Sequence, residues 1–381
     1  MSILHLQSAT KKQIAAHLAW LPLIVSIFLA LGLLHAGRLK MIKLGEAALG
    51  GQTAEVLGED SGLRYTCFDA SDTEICENAY ERAGRPPAIL WLGNSQNFAI
   101  NRYQPGDQLA VAMVHRWLRD RGRTWLVSYT QPNANFYEQA IVFEALARRY
   151  DTRLLILPVF MDKLREQGVR DSVAAFMNEP NTADLVRASP EWPGLAAALY
   201  NRSQTEGQLP TDRTIQARVE DQFDALLSRY IPIWRDRGSL RGNLQMALNT
   251  LRNKALGIHS YTKRPVDPGV YVEKMQMLQK ILESAKHLNI RVLLYIPPYR
   301  QDISGPYDNA QYSQFKRDVE SLAARYKADY VDLTDLVPGP EWATVVDHIF
   351  GFEEPDFMHF TAEGHRRLAG AIQHRLMNLE F

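Results

Sequence analysis

The strongest constraint on this chain is an alternation that begins at Ala88, in which short apolar runs are separated by stretches whose apolar residues recur about every 3.6 positions. Ala88–Leu92, Thr124–Tyr129 and Arg153–Val159 read as strands, with amphipathic helices at Gln108–Arg121 and Phe136–Tyr150 between them. The pattern resumes with a helix at Tyr271–Leu288, a strand at Arg291–Ile296, a helix at Tyr312–Tyr326, a strand at Asp329–Leu333 and a helix at Ala362–Leu379. Strands that are apolar on both faces and joined by helices make a mostly parallel sheet with helices on each side. The sequence therefore predicts an α/β fold, a three-layer α/β/α domain with a mostly parallel five-stranded sheet. Between Val159 and Tyr271 strand character is scarce, and amphipathic runs at Trp192–Tyr200, Ile215–Arg235 and Leu240–Leu256 predict a helical insertion over about 165–270. Its aromatic residues, Trp192, Tyr200, Tyr230 and Trp234, suit a helical core better than a ligand platform.

Open α/β sheets keep their ligand sites at the carboxyl ends of their strands. The first strand breaks there at Gly93, and Asn94 and Ser95 follow at once. Ser95 is the candidate nucleophile; the alternative is a helix cap. A hydroxyl nucleophile needs a neutral imidazole to take its proton, and the imidazole needs a carboxylate to fix its tautomer and stabilise its charged form. Near the other end of the chain, Asp356 and His359 stand three residues apart, Pro355 keeps the segment out of the preceding helix, and Thr361 reads as the cap of the last one. One short loop would present both groups. The expectation is that both motifs meet at the carboxyl edge of the sheet, with Ser95 Oγ about 2.6–3.2 Å from His359.

With those residues in view, the chain resembles the SGNH (GDSL-type) hydrolases, which carry Gly-Asp-Ser after the first strand and Asp-x-x-His before the last helix. The resemblance lies in Gly93-Asn94-Ser95 and Asp356-Phe-Met-His359, continues through Thr361, Gly364 and His365, and covers about 88–160 and 290–381. Asn94 replaces the usual Asp, and Met161 stands where the family's third block has an oxyanion-holding Asn. The resemblance implies a Ser95–His359–Asp356 triad and an acyl–Ser95 intermediate, resolved by water or by a sugar hydroxyl. The oxyanion candidates are Ser95 itself and the amides of Asn133 or Asn135; for Asn135 a helix cap is the alternative. Losing one such donor costs about 10²–10³ in turnover. Asp162 and Arg165, just past the third strand, either contact an anionic substrate or open a solvated helix, and His365 reads as structural.

Anchored members of the family, similar to proteins that D-alanylate teichoic acids and acetylate exopolysaccharides, work beside membrane-bound O-acyltransferases. That implies an acyl (O-acetyl) ester of an extracytoplasmic carbohydrate or cell-envelope polymer as substrate, with such an acyltransferase as a partner. A rival reading is a non-catalytic scaffold that keeps the fold and binds a polysaccharide or that acyltransferase.

The remaining features place the domain. Leu18–Leu34 is apolar apart from Pro22 and Ser26, has Lys11 and Lys12 before it and Arg38, Lys40 and Lys43 after it, and with its uncharged flanks approaches the roughly 20 residues that cross a bilayer core. It predicts one transmembrane helix at about 18–36 within an N-terminal segment of residues 1–40; a cleaved signal peptide ending near Ala47-Ala48 is the alternative. Residues 41–87 read as a linker. They contain the chain's 2 cysteines, Cys67 and Cys76, for which no histidine neighbour suggests zinc and a disulfide is the natural reading in an oxidising compartment. This places residues 88–381, the catalytic domain, on the periplasmic side of a single-pass inner-membrane protein. The formal net charge is +0 and no basic stripe stands out, which argues against a nucleic-acid partner. No cofactor and no metal is expected.

Overall fold

A computed structural model describes residues 51–122, 124–165, 168–188, 248–346 and 350–379, together with residues 49, 195 and 229. The chain divides into two compact units, one of residues 1–48 and 210–256 and one of 49–209 and 257–381. Everything below concerns the second. The predicted span at 18–36 lies outside the described residues, as does nearly all of the helical insertion between 189 and 247. Among the described residues no helix is long and apolar enough to cross a membrane.

In chain order the strands are β1 (Thr53–Glu55), the pair β2 (Glu59–Asp60) and β3 (Leu63–Arg64), β4 (Thr66–Cys67), β5 (Ala88–Gly93), β6 (Ala99–Asn101), β7 (Trp125–Thr130), β8 (Thr152–Pro158), β9 (Arg291–Ile296), β10 (Asp329–Asp332), β11 (Trp342–Val346) and β12 (Glu353–Phe360). The long helices are α1 (Thr73–Arg82), α2 (Ala110–Arg121), α3 (Phe136–Leu146), α4 (Pro268–His287), α5 (Asn309–Tyr326) and α6 (Ala362–Met377). Six strands form the main sheet in the order β10-β9-β8-β5-β7-β4, every neighbour parallel. The expected five-stranded sheet thus gains a sixth strand, β4, at its edge. At 2 residues β4 is too short to show any periodicity.

This order fixes where a ligand can sit. From β5 the chain steps to β7 on one side and then crosses back to β8 on the other. Right-handed crossovers that reverse direction put their helices on opposite faces of the sheet. Accordingly α2 packs with α6 on one face, while α3, α4 and α5 pack in sequence on the other. In open sheets of this kind ligands bind outside the carboxyl end of the strand at which the order reverses, here β5, which Gly93 ends. All six residues of β5 are buried, as a central parallel strand requires.

Two further segments differ from the sequence reading. Residues 41–87, read as a linker, supply β4 and α1 to the domain. The Cys67–Cys76 disulfide joins that strand to that helix, with both cysteines fully buried in the main core. Helix α3 is buried on nearly every side rather than amphipathic, because residues 171–188, at the start of the predicted insertion, cover the side that α4 and the sheet leave open.

Candidate active site

Two local devices bring the predicted residues together. At the end of β5, Asn94 adopts an extended backbone and its Oδ1 accepts the Gln96 N–H at 3.0 Å, folding Ser95–Asn97 into one 3-10 turn. An aspartate would accept the same bond, so Asn and Asp form this turn alike. Gly93 is required by packing, since a Cβ there would lie 2.3–2.7 Å from the Asn97 carboxamide. Gly93→Ala should therefore push the turn that carries Ser95, cost about 1–3 kcal/mol of stability and lower ester turnover at least about tenfold. A variant with wild-type melting and turnover would refute this close-packing account.

The second device is a bulge. Asp356 and His359 sit in β12, antiparallel to β11, and not in the predicted loop. Trp342 pairs with Phe360 and Thr344 with Pro355, so Asp356–His359 all bow out opposite Ala343. Bulges kink a strand and re-aim its side chains. The Asp356 side chain holds the bulge closed from within: its Oδ1 accepts the backbone N–H of Met358 at 2.8 Å and of His359 at 2.9 Å.

The result is a continuous hydrogen-bonded chain. His359 Nδ1 is 3.0 Å from Asp356 Oδ2, and His359 Nε2 is 2.8 Å from Ser95 Oγ. An ionised carboxylate only accepts, so Nδ1 carries the ring proton and donates to Asp356; Nε2 is left as an acceptor for the Ser95 hydroxyl. Burial alone would favour the neutral acid of Asp356. The facing His359 ring, its Nδ1–H and the two backbone N–H groups outweigh burial and hold the carboxyl below its usual range. Ser95 is 5% and His359 9% exposed, so bulk water is largely kept from the pair.

Around this core, Gln96 Nε2 donates to Pro298 O at 3.2 Å, and the Phe357 ring stacks on Tyr299 with centroids 5.9 Å apart. The loop after β9 thereby braces both halves of the site. Asn101, on β6, donates its Nδ2 to Asp356 Oδ2 at 2.9 Å. No motif in the sequence marks Asn101. His365 is structural, as its position suggested: Nδ1 accepts the first N–H of α2, from Ala110, at 3.3 Å, and Nε2 donates to Ala99 O at 3.1 Å. Burial drives its pKa down to about 3, so the ring is neutral.

The other sequence candidates fall elsewhere. Asn135 is the cap of α3: its Oδ1 accepts from the N–H groups of Tyr137 and Glu138, and its Nδ2 donates to Gly168 O at 2.9 Å. Its Oδ1 is committed to the cap and one hydrogen of its Nδ2 to Gly168. Asn133 is exposed, at φ 51°, and lines a cavity with Pro132, Asn135, Glu138 and Arg170. Met161 is buried at the start of a 3-10 helix, and its thioether side chain offers no donor. Asp162 lies in the first turn of that 3-10 helix, its side chain 32% exposed, where it pairs with Arg165 and accepts from the Tyr307 hydroxyl. Lys163, which drew no attention in the sequence, is wholly buried and donates to Gln139 Oε1 at 2.8 Å and to Pro158 O; burial pushes its amine well below the usual lysine range. Among the described residues no group of three or more His, Cys, Asp or Glu is placed to hold a metal ion.

No family model and no curated protein matches the chain. Among solved structures the chain is similar to an acetylxylan esterase from Geobacillus stearothermophilus at 12% identity, covering 77% of this chain and 95% of that one with a TM-score of 0.38. It is also similar to an alpha/beta hydrolase enzyme from the metagenome of Lake Arreo, Spain, at 11% identity, covering 77% of this chain and 97% of that one with a TM-score of 0.37. Likenesses this distant carry no argument about activity, which rests on the geometry of the site itself.

Proposed function

We propose that this protein cleaves acyl esters through an acyl–Ser95 intermediate. The observation that carries the reading is the chain Ser95 Oγ–His359 Nε2 at 2.8 Å and His359 Nδ1–Asp356 Oδ2 at 3.0 Å, set at the switch point of a parallel sheet. Ser95 Oγ attacks the ester carbonyl as its proton passes to His359 Nε2, and Asp356 stabilises the imidazolium that results. Collapse of the tetrahedral species breaks the bond to the alcohol, which leaves with the proton His359 returns. Water, or a second alcohol, then attacks the acyl–Ser95 carbonyl with His359 again taking the proton, and collapse breaks the acyl–Oγ bond as His359 returns that proton to Ser95 Oγ. Water gives an esterase, and a sugar hydroxyl gives an acyltransferase.

The substrate class we propose is an O-acyl, in particular O-acetyl, ester of an extracytoplasmic carbohydrate or cell-envelope polymer, handled beside a membrane-bound O-acyltransferase. Its support is the resemblance in Gly93-Asn94-Ser95 and Asp356-Phe-Met-His359, the apolar run at 18–34 and a paired Cys67–Cys76, which suits an oxidising compartment. The Ser95 backbone N–H is the oxyanion donor of this reading; Asn133 lines a cavity that neither Ser95 nor His359 lines, and Asn135 caps α3.

A serine-reactive phosphonate tests the reading. It should label Ser95 in the full chain and fail to label His359→Ala, because only the paired imidazole activates the hydroxyl. Equal labelling of both, or of neither, would favour a scaffold that keeps the fold without the chemistry. Anchorage has its own test: the protein should stay in the membrane fraction through high salt and leave it when residues 1–40 are removed. Release of the intact chain by salt would refute it.

A further inference from the structure

Beyond the triad, one buried side chain touches its carboxylate. Asn101 is fully buried, and its Nδ2 donates both hydrogens: one to Asp356 Oδ2 at 2.9 Å and one to Thr344 O at 3.1 Å. The orientation of this amide is dictated by its partners. Turned over, its oxygen would face a carboxylate and a carbonyl, two acceptors with no proton between them. Asn101 also sits on a fixed plank. β6 pairs with β1, Thr53 opposite Asn101, and the carbonyl of Ala99 on the same strand accepts from His365.

We infer that Asn101 is a positioning residue for this reaction, acting through Asp356; the inference rests on the serine-ester reading above. Each oxygen of Asp356 accepts two hydrogen bonds, Oδ1 from the N–H groups of Met358 and His359, and Oδ2 from His359 Nδ1 and Asn101 Nδ2. Three of these four donors belong to the bulge itself. Asn101 is the one that ties the carboxylate to a separate strand, so it fixes where Oδ2 stands relative to His359. It also draws charge from that oxygen, tempering its hold on the imidazolium. At a fully buried position bulk water does not compete for this bond. The ionisable groups acting on the pair are Asp356, His359 and the buried His365, which stays neutral down to about pH 3.

The test compares Asn101→Ala and the shape-conserving Asn101→Leu with the wild type as full chains in mild detergent, using an activated aryl ester. Turnover is expressed per Ser95 labelled by phosphonate, and Ser95→Ala is the control. Both Asn101 variants should lose about 10–100-fold in kcat, with KM changed by less than about twofold. The acid limb of kcat/KM should move to higher pH, since a carboxylate relieved of one donor holds the imidazolium more tightly. A merely structural asparagine would lower the melting temperature while leaving kcat per labelled site and the acid limb where they were; that result overturns the inference. Full turnover in Ser95→Ala would instead overturn the serine-ester reading and the inference with it. Should neither Asn101 variant fold, the wild-type chain answers by NMR. The Asn101 side-chain amide should shift with the same midpoint as kcat/KM, and an amide signal flat across that range overturns the proposal.

Discussion

Ser95→Ala should lower turnover of an activated ester by a factor on the order of 10⁵–10⁶, and His359→Ala should lower it by a similar factor. The double variant should be no worse than either alone. Nucleophile and base serve one proton-coupled step at a 2.8 Å contact, so removing either disables it, and the residual rate comes from oxyanion donors and binding. Asp356→Asn should cost about 10⁴ or less, because it removes the acceptor that keeps the proton on His359 Nδ1 while leaving Ser95 and an imidazole in place. Steady-state kinetics on the purified chain checks all three. Additive losses in the double variant would mean that Ser95 and His359 act in separate steps.

His365→Ala should produce the largest loss of stability among single changes near the site, about 3–5 kcal/mol. The substitution empties a fully buried ring volume against Phe360 and leaves the Ala110 N–H and the Ala99 carbonyl without their partner. The same residue gives the fold an acid limit. Unfolded, its imidazole takes a proton below about pH 6.5; folded, burial delays that until about pH 3. Between those values protons favour the unfolded chain, so this stabilisation is complete above pH 6.5 and drains away as pH falls toward 3, at up to about 1.4 kcal/mol per pH unit. His115, buried between Tyr65 and Trp125 with its pKa driven down to about 4, adds in the same direction. Denaturant melts at pH 7, 6, 5 and 4 should show the decline, and in His365→Ala the slope should shrink by about one proton. A variant with wild-type stability and an unchanged slope would contradict this role.

The two sequence blocks that meet at the site were legible because each carries a local signal. Ile89–Leu92 is apolar enough to be a buried strand, and Gly93-Asn94-Ser95 can only turn, so the serine is committed to the sheet's carboxyl edge before any long-range contact is known. Asp356 and His359 were legible as a pair, but the β11–β12 ladder was not. Its bulge sets a four-residue bow against one residue, which erases the period-of-two pattern that marks a strand. β4 and α1 were missed because a two-residue strand has no period and a short polar helix next to two cysteines looks like a loop. The oxyanion candidates show the opposite limit. Asn135 before an apolar helix satisfied two readings equally well in the sequence, and only the bonds to Tyr137, Glu138 and Gly168 commit it to the cap. Asn101 and Lys163 each take a partner that no local pattern announces, Asp356 in one case and Gln139 in the other.

The claim on which the rest depends is that an acyl group passes through Ser95. Rapid mixing of the full chain with p-nitrophenyl acetate, an acid quench and peptide mass spectrometry would test it directly. The account predicts acetyl on the peptide carrying Ser95, absent in His359→Ala and accumulated in wild type to the extent that deacylation is slower than acylation. Continued release of nitrophenolate with no acetyl on Ser95 at any quench time, or acetyl on another residue whose substitution abolishes turnover, would contradict it.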